Sequence, residues 1–288
     1  MEFQYHIFSP YRVCPLGAHV DHQHGIVTGF AINKGVDLWF TPNEDGKVHL
    51  ESRTFDGVVD FDITKGTLVR EMHWGDYARG AKYALKKRFD LKKGMKEFEI
   101  GIFFSGLTRS LVNSDYNLRV YECKTAAWNV LAYQNQPLKE FNKTFLRDIP
   151  KESYEACKER MPARFARRAE HFYSEYRRVR QGVTAWETGN LELFGKLCFA
   201  SCESSIHNYE CGSPELIAIY EIMRSLEGVY GGRFSGAGFK GACIALVDPA
   251  CKENVEKELT RQYLEKFPEY EKTFKVFWVK PDDGARFL

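Results

Sequence analysis

Between Tyr11 and Gly25 the chain reads Tyr-Arg-Val-Cys-Pro-Leu-Gly-Ala-His-Val-Asp-His-Gln-His-Gly, which sets Arg12, Asp21, His19, His22 and His24 close together in one short run. Pro15, Gly17 and Gly25 punctuate it as a loop. Three readings are open. The first is a solvated turn, which uses the same residue types. The second is a metal site drawing on the histidines and Asp21, but zinc spacings such as H-E-x-x-H are absent. The third is a pocket for a small polar ligand, for which polar groups this dense on a stiffened loop are suited.

A second run, Gly228-Val-Tyr-Gly-Gly-Arg-Phe-Ser-Gly-Ala-Gly-Phe-Lys-Gly-Ala-Cys-Ile-Ala-Leu-Val247, contains G-x-G-x-x-G at Gly236, Gly238 and Gly241. A dinucleotide site needs a helix directly after that pattern. Cys243 to Val247 reads as a strand instead, so the dinucleotide reading fails its context. Gly46-Lys47 and Gly195-Lys196 lack the Ser or Thr that a P-loop requires. The run is either a plain turn before a strand or a glycine loop whose backbone N–H groups can approach a ligand.

The elements that would carry these runs are legible from pattern. Residues 26 to 63 alternate apolar and polar side chains, with turns at Asn43 to Gly46 and Asp56-Gly57, and predict an antiparallel meander. Trp74 opens a helix stopped by Lys92-Lys93-Gly94. Phe98 to Phe104 reads as a buried strand. Helices are predicted over 119–134, over 151–182 with a break at Met161-Pro162, over 190–209 and over 214–226. Asp248-Pro249 caps a further helix with Val255, Leu259, Tyr263 and Phe267 on one face, and Lys275 to Lys280 closes as a strand.

Composition narrows the partners. A chain of 288 residues with 44% hydrophobic content can bury a sizeable core in one large or two small domains. A net charge of +2 argues against nucleic acid and anionic membrane. No apolar run approaches a membrane span, and the first residues lack a signal peptide's basic and apolar regions. The eight cysteines include no C-x-x-C and read as reduced, mostly buried side chains, so the expected compartment is the cytoplasm. The arginines from Arg164 to Arg180, alternating with Glu170 and Glu175, read as a solvated helix face.

Residue for residue, the first loop resembles the Gly-Arg-x-Asn-Leu-Ile-Gly-Glu-His-x-Asp-Tyr signature of galactokinases, in the GHMP sugar-kinase superfamily: Arg12, Gly17, His19, Asp21 and Gly25 fall where it expects them. The glycine run is similar to the third motif of that superfamily. Tyr116-Asn-Leu-Arg119 with Cys123, Arg168-Ala-Glu-His171, and Glu175 with Arg178-Val179 resemble further galactokinase segments, as does Trp74 to Gly80. The resemblance covers about Tyr11 to Leu288. It implies an α+β fold of GHMP-kinase type in two domains: a truncated N-terminal domain over 1–94 and a ferredoxin-like α/β C-terminal domain over 95–288. It also implies ATP and Mg2+ as cofactors, a sugar as small-molecule partner, Arg12 near the anomeric oxygen as catalytic residue, and no protein-held metal. Sugar contacts are implied for Ala18, His19, Asp21 and Tyr116, with Ser235, Gly236 and Gly238 near the reacting end.

The departures matter as much as the matches. Where the signature has glutamate, implied to bond the sugar's C6 hydroxyl, this chain has Ala18. A hexuronic acid carries a carboxylate at C6, which a glutamate would repel in a closed pocket. With His22 in place of tyrosine and Cys14 in place of asparagine, the loop looks more like that of galacturonate kinases. The cation that would meet the carboxylate is not legible; Arg79, Lys34 and His22 are candidates. The serine-rich phosphate loop and the base aspartate of the family, Gly-Leu-Ser-Ser-Ser and Gly-x-x-Asp-Gln, have no counterpart, as if about a hundred residues, a typical domain's worth, were skipped after Gly94. Two functions therefore stand: a sugar-1-kinase for galacturonate, or a non-catalytic sugar-acid-binding relative. Oligomeric state carries no signal.

Overall fold

The computed structural model describes residues 3–43, 47–62, 98–107, 116–282 and 285–287. Two compact units are present, neither a single stretch of sequence. One comprises Met1–Ser9, Val36–Lys93 and Ala285–Leu288; the other comprises Pro10–Gly35 and Gly94–Gly284. Pro10–Gly35, with the first polar loop, groups with Gly94–Gly284 in the second unit.

In the first unit, β3 (Lys47–Glu51) and β4 (Val58–Asp62) form an antiparallel hairpin in register Lys47 to Asp62 and Glu51 to Val58. Two long strands run through both units, β1 (Tyr5–Val13) and β2 (Phe30–Phe40). They are neighbours in a three-stranded sheet closed by β9 (Arg286–Phe287), whose Phe287 and Arg286 face Ile7 and Phe8. The predicted meander is thus split between two sheets, because β1, which alternation does not announce, takes β2 as its partner. The expected helix from Trp74 lies outside the described residues.

The second unit holds a four-stranded antiparallel sheet in the order β6-β7-β5-β8, from β5 (Glu99–Phe104), β6 (Val229–Ser235), β7 (Ala242–Val247) and β8 (Lys275–Val279). Its helices are α1 (Tyr116–Tyr133), α2 (Lys151–Glu155), α3 (Ala163–Glu187), α4 (Leu191–His207), α5 (Pro214–Ser225) and α6 (Lys252–Lys266). The chain order strand, helices, strand, strand, helix, strand with that sheet order is the ferredoxin-like α+β arrangement the resemblance implied.

Both faces of the sheet are covered, which is why β7, and β5 after Glu99, are continuous apolar runs. Phe103, Cys243, Ala245 and Val247 pack with Ala126, Phe172, Cys202, Leu216 and Leu259 in one cluster. Ile100, Ile244 and Leu246 point the other way, against Val13, Leu16, Ile32, Val179, Phe194 and Cys198. That second cluster roots the strand ends and the loop start on the sheet. The break at Met161-Pro162 occurs as expected, with Pro162 preceding the first residue of α3. Asp248 caps only a short 3-10 turn, Pro249–Cys251, before α6 begins at Lys252.

Two readings need correction. The arginine-rich helix is not a solvated face throughout: Arg168, Arg178 and Glu175 of α3 are buried in ion pairs. The glycine run is also not one loop. Its first half is β6, where α4 lies so close that a Cβ on Gly195 would come 2.0 Å from the Tyr230 carbonyl oxygen. Gly231 serves that approach, and only Gly236 to Gly241 form the turn.

Candidate functional site

The first polar loop leaves β1 at Val13 and is bent by Gly17, whose φ of 91° suits glycine. A Cβ there would sit 2.5 Å from Val27 Cα. His19 and His24 also have positive φ, 56° and 58°, which costs about 1–3 kcal/mol per residue and persists only where surroundings over-determine it. Here they do. The Leu16 N–H donates to Thr28 Oγ1 at 3.1 Å, and the Gly25 N–H to the Val20 carbonyl at 2.8 Å.

The main anchor is Glu175 of α3, which is fully buried. Its Oε1 accepts from the Gly17 N–H at 2.7 Å, the Ala18 N–H at 3.2 Å and the Ser201 hydroxyl of α4 at 2.6 Å. Its Oε2 accepts from Arg178 Nε at 2.7 Å. Arg233 of β6 lies 3.8 Å from Oε1 and donates to Ser201 Oγ at 2.7 Å. Burial alone would raise the Glu175 pKa; Arg178, then His171 and Arg233, outweigh it and hold it at about 2. A carboxylate paired in this way is the stable form of a buried acid.

His171, one turn earlier, grips the next peptide, between Ala18 and His19. Its Nε2 lies 2.9 Å from the Ala18 carbonyl, which only accepts, so Nε2 carries the proton and Nδ1 accepts from Ser204 Oγ at 3.0 Å. Burial pushes its pKa down to about 4, so the imidazole is neutral at ordinary pH. Gly17, Ala18 and His19 are therefore held by one carboxylate and one neutral imidazole from successive turns of α3.

His19 turns its ring onto Tyr209, stacked at 4.4 Å and 7°, with Nε2 3.4 Å from Cys211 Sγ. Burial, then His171 and Arg233, lowers its pKa well below the usual imidazole value. His22 Nε2 pairs with the Tyr209 hydroxyl at 3.1 Å, and His24 stacks on Phe145 at 3.9 Å. His19 and His22 thus share Tyr209, one on its ring and one on its hydroxyl, while His24 lies on Phe145. No group of three His, Cys, Asp or Glu side chains placed to hold a metal ion occurs among the described residues.

Arg12, at the end of β1, and Asp21, in a 3-10 turn, are exposed, and neither forms an ion pair among the described residues. Ser235 and Gly236 are exposed at the glycine turn; Gly236, Gly238 and Gly241 have φ of 90°, 80° and 98°. A Cβ on Gly238 would lie 3.1 Å from Cys211 Sγ, the sulfur that His19 touches. The two runs singled out in the sequence therefore abut one thiol. Tyr116 is the first residue of α1; its side chain, like Arg79, lies outside the described residues, and Lys34 is exposed on β2.

Neither α4 nor α5 offers ATP an open phosphate cradle. The N-termini of α4 and α5 are closed by their own Asn190 and Ser213 side chains, and no serine-rich glycine loop precedes either. The roles of Glu175, His171, Tyr209 and Cys211 are not legible in the sequence. Glu175 and His171 lie in segments that resemble family motifs, but only burial shows that they position the loop.

Comparison with known proteins agrees with this architecture. Residues 183–266 match the family described as GHMP kinases C terminal. The chain is 32% identical to a galacturonokinase from Arabidopsis thaliana, across 98% of this chain and 93% of the relative. That match extends over 397 positions, more than the 288 residues here, so the relative carries a segment with no counterpart in this chain. A Thermotoga maritima galactokinase is 31% identical over 60% of this chain, but 45% of its own length is covered. Lactococcus lactis galactokinase, solved with galactose, shares the fold at a TM-score of 0.79 and 21% identity, covering 99% of this chain and 95% of that one. With the first polar loop, the ferredoxin-like sheet and these likenesses together, the chain belongs to the GHMP kinase family, in its galactokinase-like, sugar-kinase branch.

Proposed function

We propose that this site binds a hexuronic acid of the galacturonate type, held between the His19–Asp21 loop and the Ser235–Gly238 turn. The observation that supports it is a contrast within one loop. Its backbone is pinned in strained conformations by buried Glu175 and His171, while Arg12 and Asp21 remain exposed with no ion pair among the described residues. Strain held in this way is typical of ligand clamps. In this reading Asp21 accepts sugar hydroxyls, Arg12 lies at the anomeric end and Tyr116 contacts the ring. The small Ala18 leaves room for the C6 carboxylate and adds no like charge.

The reaction of the lineage is ATP-dependent phosphorylation of the anomeric hydroxyl, giving the 1-phosphate. The identity with galacturonokinase across nearly the whole chain favours it. The missing phosphate loop and base favour a second reading, in which the sugar acid is bound without transfer. Removing oxyanion or metal stabilisation at a single point costs several kcal/mol of barrier, and here several such groups are lacking.

Purified 288-residue protein titrated with galacturonate and with galactose, then supplied with MgATP, separates these outcomes. Galacturonate preferred and ADP released supports the kinase. Galacturonate preferred with no ADP supports the binding protein. Failure to bind either sugar, or equal affinity for both, refutes the uronate assignment.

A further inference from the structure

The link between α4 and α5, Asn208–Ser213, carries none of the motif residues, yet each of the three segments that do is attached to it. The sugar loop rests on it through the His19–Tyr209 stack, the bond between the Tyr209 hydroxyl and His22 Nε2, and the Cys211 contact with His19. The glycine turn is joined to it by the Ser213 N–H, which donates to the Gly238 carbonyl at 3.0 Å, and by the close approach of Gly238 to Cys211. Helix α1, which begins at Tyr116, reaches it through Arg119. That side chain donates from Nη2 and Nε to the Glu210 carbonyl at 3.1 and 3.3 Å.

The link itself is forced into shape. Glu210 has φ 56° and Gly212 φ 124°. Glu210 is clasped on three sides: Arg119 on its carbonyl, Arg168 Nη2 on Oε2 at 2.6 Å, and Arg167 on Oε1. Arg168, 1% exposed, also donates to the Asn208 carbonyl at 2.6 Å and to Glu122 of α1 at 2.7 Å. A non-glycine residue in this conformation, held by charge-assisted bonds from two helices, is over-determined in the way strained functional segments are.

We propose that Asn208–Ser213 is the positioning element of the sugar site, with Glu210 as its clasp: it sets the His19 loop, the glycine turn and the start of α1 relative to one another. Glu210 touches no substrate in this arrangement; it acts through Tyr209, Cys211 and Ser213. The link bonds to all three segments, so releasing Glu210 loosens them together. The sugar part of this inference rests on the function proposed above; the mechanical part does not.

The test is amide hydrogen exchange of the full chain without ligand, on wild type, Glu210→Ala, Tyr209→Phe and Glu258→Ala. Glu258→Ala removes an exposed α6 ion pair and serves as control. Glu210→Ala is expected to speed exchange about tenfold or more at 17–24, at 237–241 and in the first turn of α1, all together. Tyr209→Phe is expected to do so only at 17–24, and Glu258→Ala at none of them. Acceleration confined to 208–213, or to one of the three segments, overturns the proposal. Should Glu210→Ala not fold, Arg119→Lys, which keeps the charge but loses the paired bonds to the Glu210 carbonyl, is held to the same pattern. A galacturonate titration runs in parallel. Wild type that fails to bind sinks the sugar reading while exchange still judges the clasp. Wild-type binding with unchanged affinity in Glu210→Ala overturns the clasp's link to the site.

Discussion

Replacing Glu175 tests the physical basis of the site most directly. The carboxylate is wholly buried, accepts from two loop N–H groups and from Ser201, and faces Arg178 and Arg233. Its pKa is about 2 in the folded protein against 4.5 for an ordinary glutamate. A depressed carboxylate contributes stability that is fully present above the unfolded value and is lost as pH falls toward the folded one. The window is therefore pH 4.5 down to about 2, and the difference corresponds to about 3 kcal/mol. Glu175→Gln keeps the shape and an acceptor for Gly17, but it does not titrate and turns an amide N–H toward Arg178. By urea unfolding at pH 7 it should lose about 2–4 kcal/mol. Glu175→Ala strands two guanidiniums and should lose about 3–5 kcal/mol, a large share of a typical domain's stability. The gap between wild type and Glu175→Gln should then close as pH is lowered from 4.5 to 2. A gap that stays constant across that window, or a Glu175→Ala loss below about 1 kcal/mol, would refute the ionic account of the loop.

Three further outcomes are expected. His171, held near 4 by burial against an ordinary 6.5, leaves the unfolded chain to take up the proton first; wild-type stability should thus decline from pH 6.5 to about 4, by about 3 kcal/mol from this residue. His171→Gln should remove that part of the slope in pH-dependent unfolding, and an unchanged slope would count against it. Gly195→Ala drives a Cβ to 2.0 Å from the Tyr230 carbonyl oxygen and should lower stability by about 1–3 kcal/mol or more. Gly236→Ala, with no atom within 4 Å of its Cβ, should show only the backbone cost of its φ, about 1–2 kcal/mol; calorimetry giving the reverse order would contradict the packing. Ala18→Glu should weaken a uronate about tenfold more than the matching neutral sugar in paired titrations, since only the uronate meets a like charge. Equal losses would remove the argument about C6.

Much of this molecule is legible in its residue order. The runs 100–104 and 242–247 are unbroken apolar stretches, and a strand covered on both faces uses them that way. Pro162 has to interrupt a helix, and Val255, Leu259 and Tyr263 recur at helical spacing and are buried. The polar loop and the glycine turn announce themselves through residue types, because dense polar side chains between proline and glycine residues, and a tight turn, each demand particular residues at adjacent positions. The pairing of β2 with β1 does not, since strand partnership depends on what else is in reach and alternation says nothing about that.

The largest gap lies in the charged residues of α3. Arg168, Glu175 and Arg178 belong to a charge-rich run that reads as a solvated face, and nothing local separates Arg168, 1% exposed, from Arg164 on the helix surface. Their burial is a consequence of where α4, β6 and the 208–213 link arrive, each distant in sequence. The sequence by itself determined which segments are strands, helices and polar turns, because propensity, periodicity and turn chemistry act over a few residues. Only the tertiary structure decided that Glu175 and His171 hold the Ala18 peptide and that Cys211 separates His19 from Gly238. A buried charge is stable only beside its partner, and those partners are brought together by packing across the whole chain.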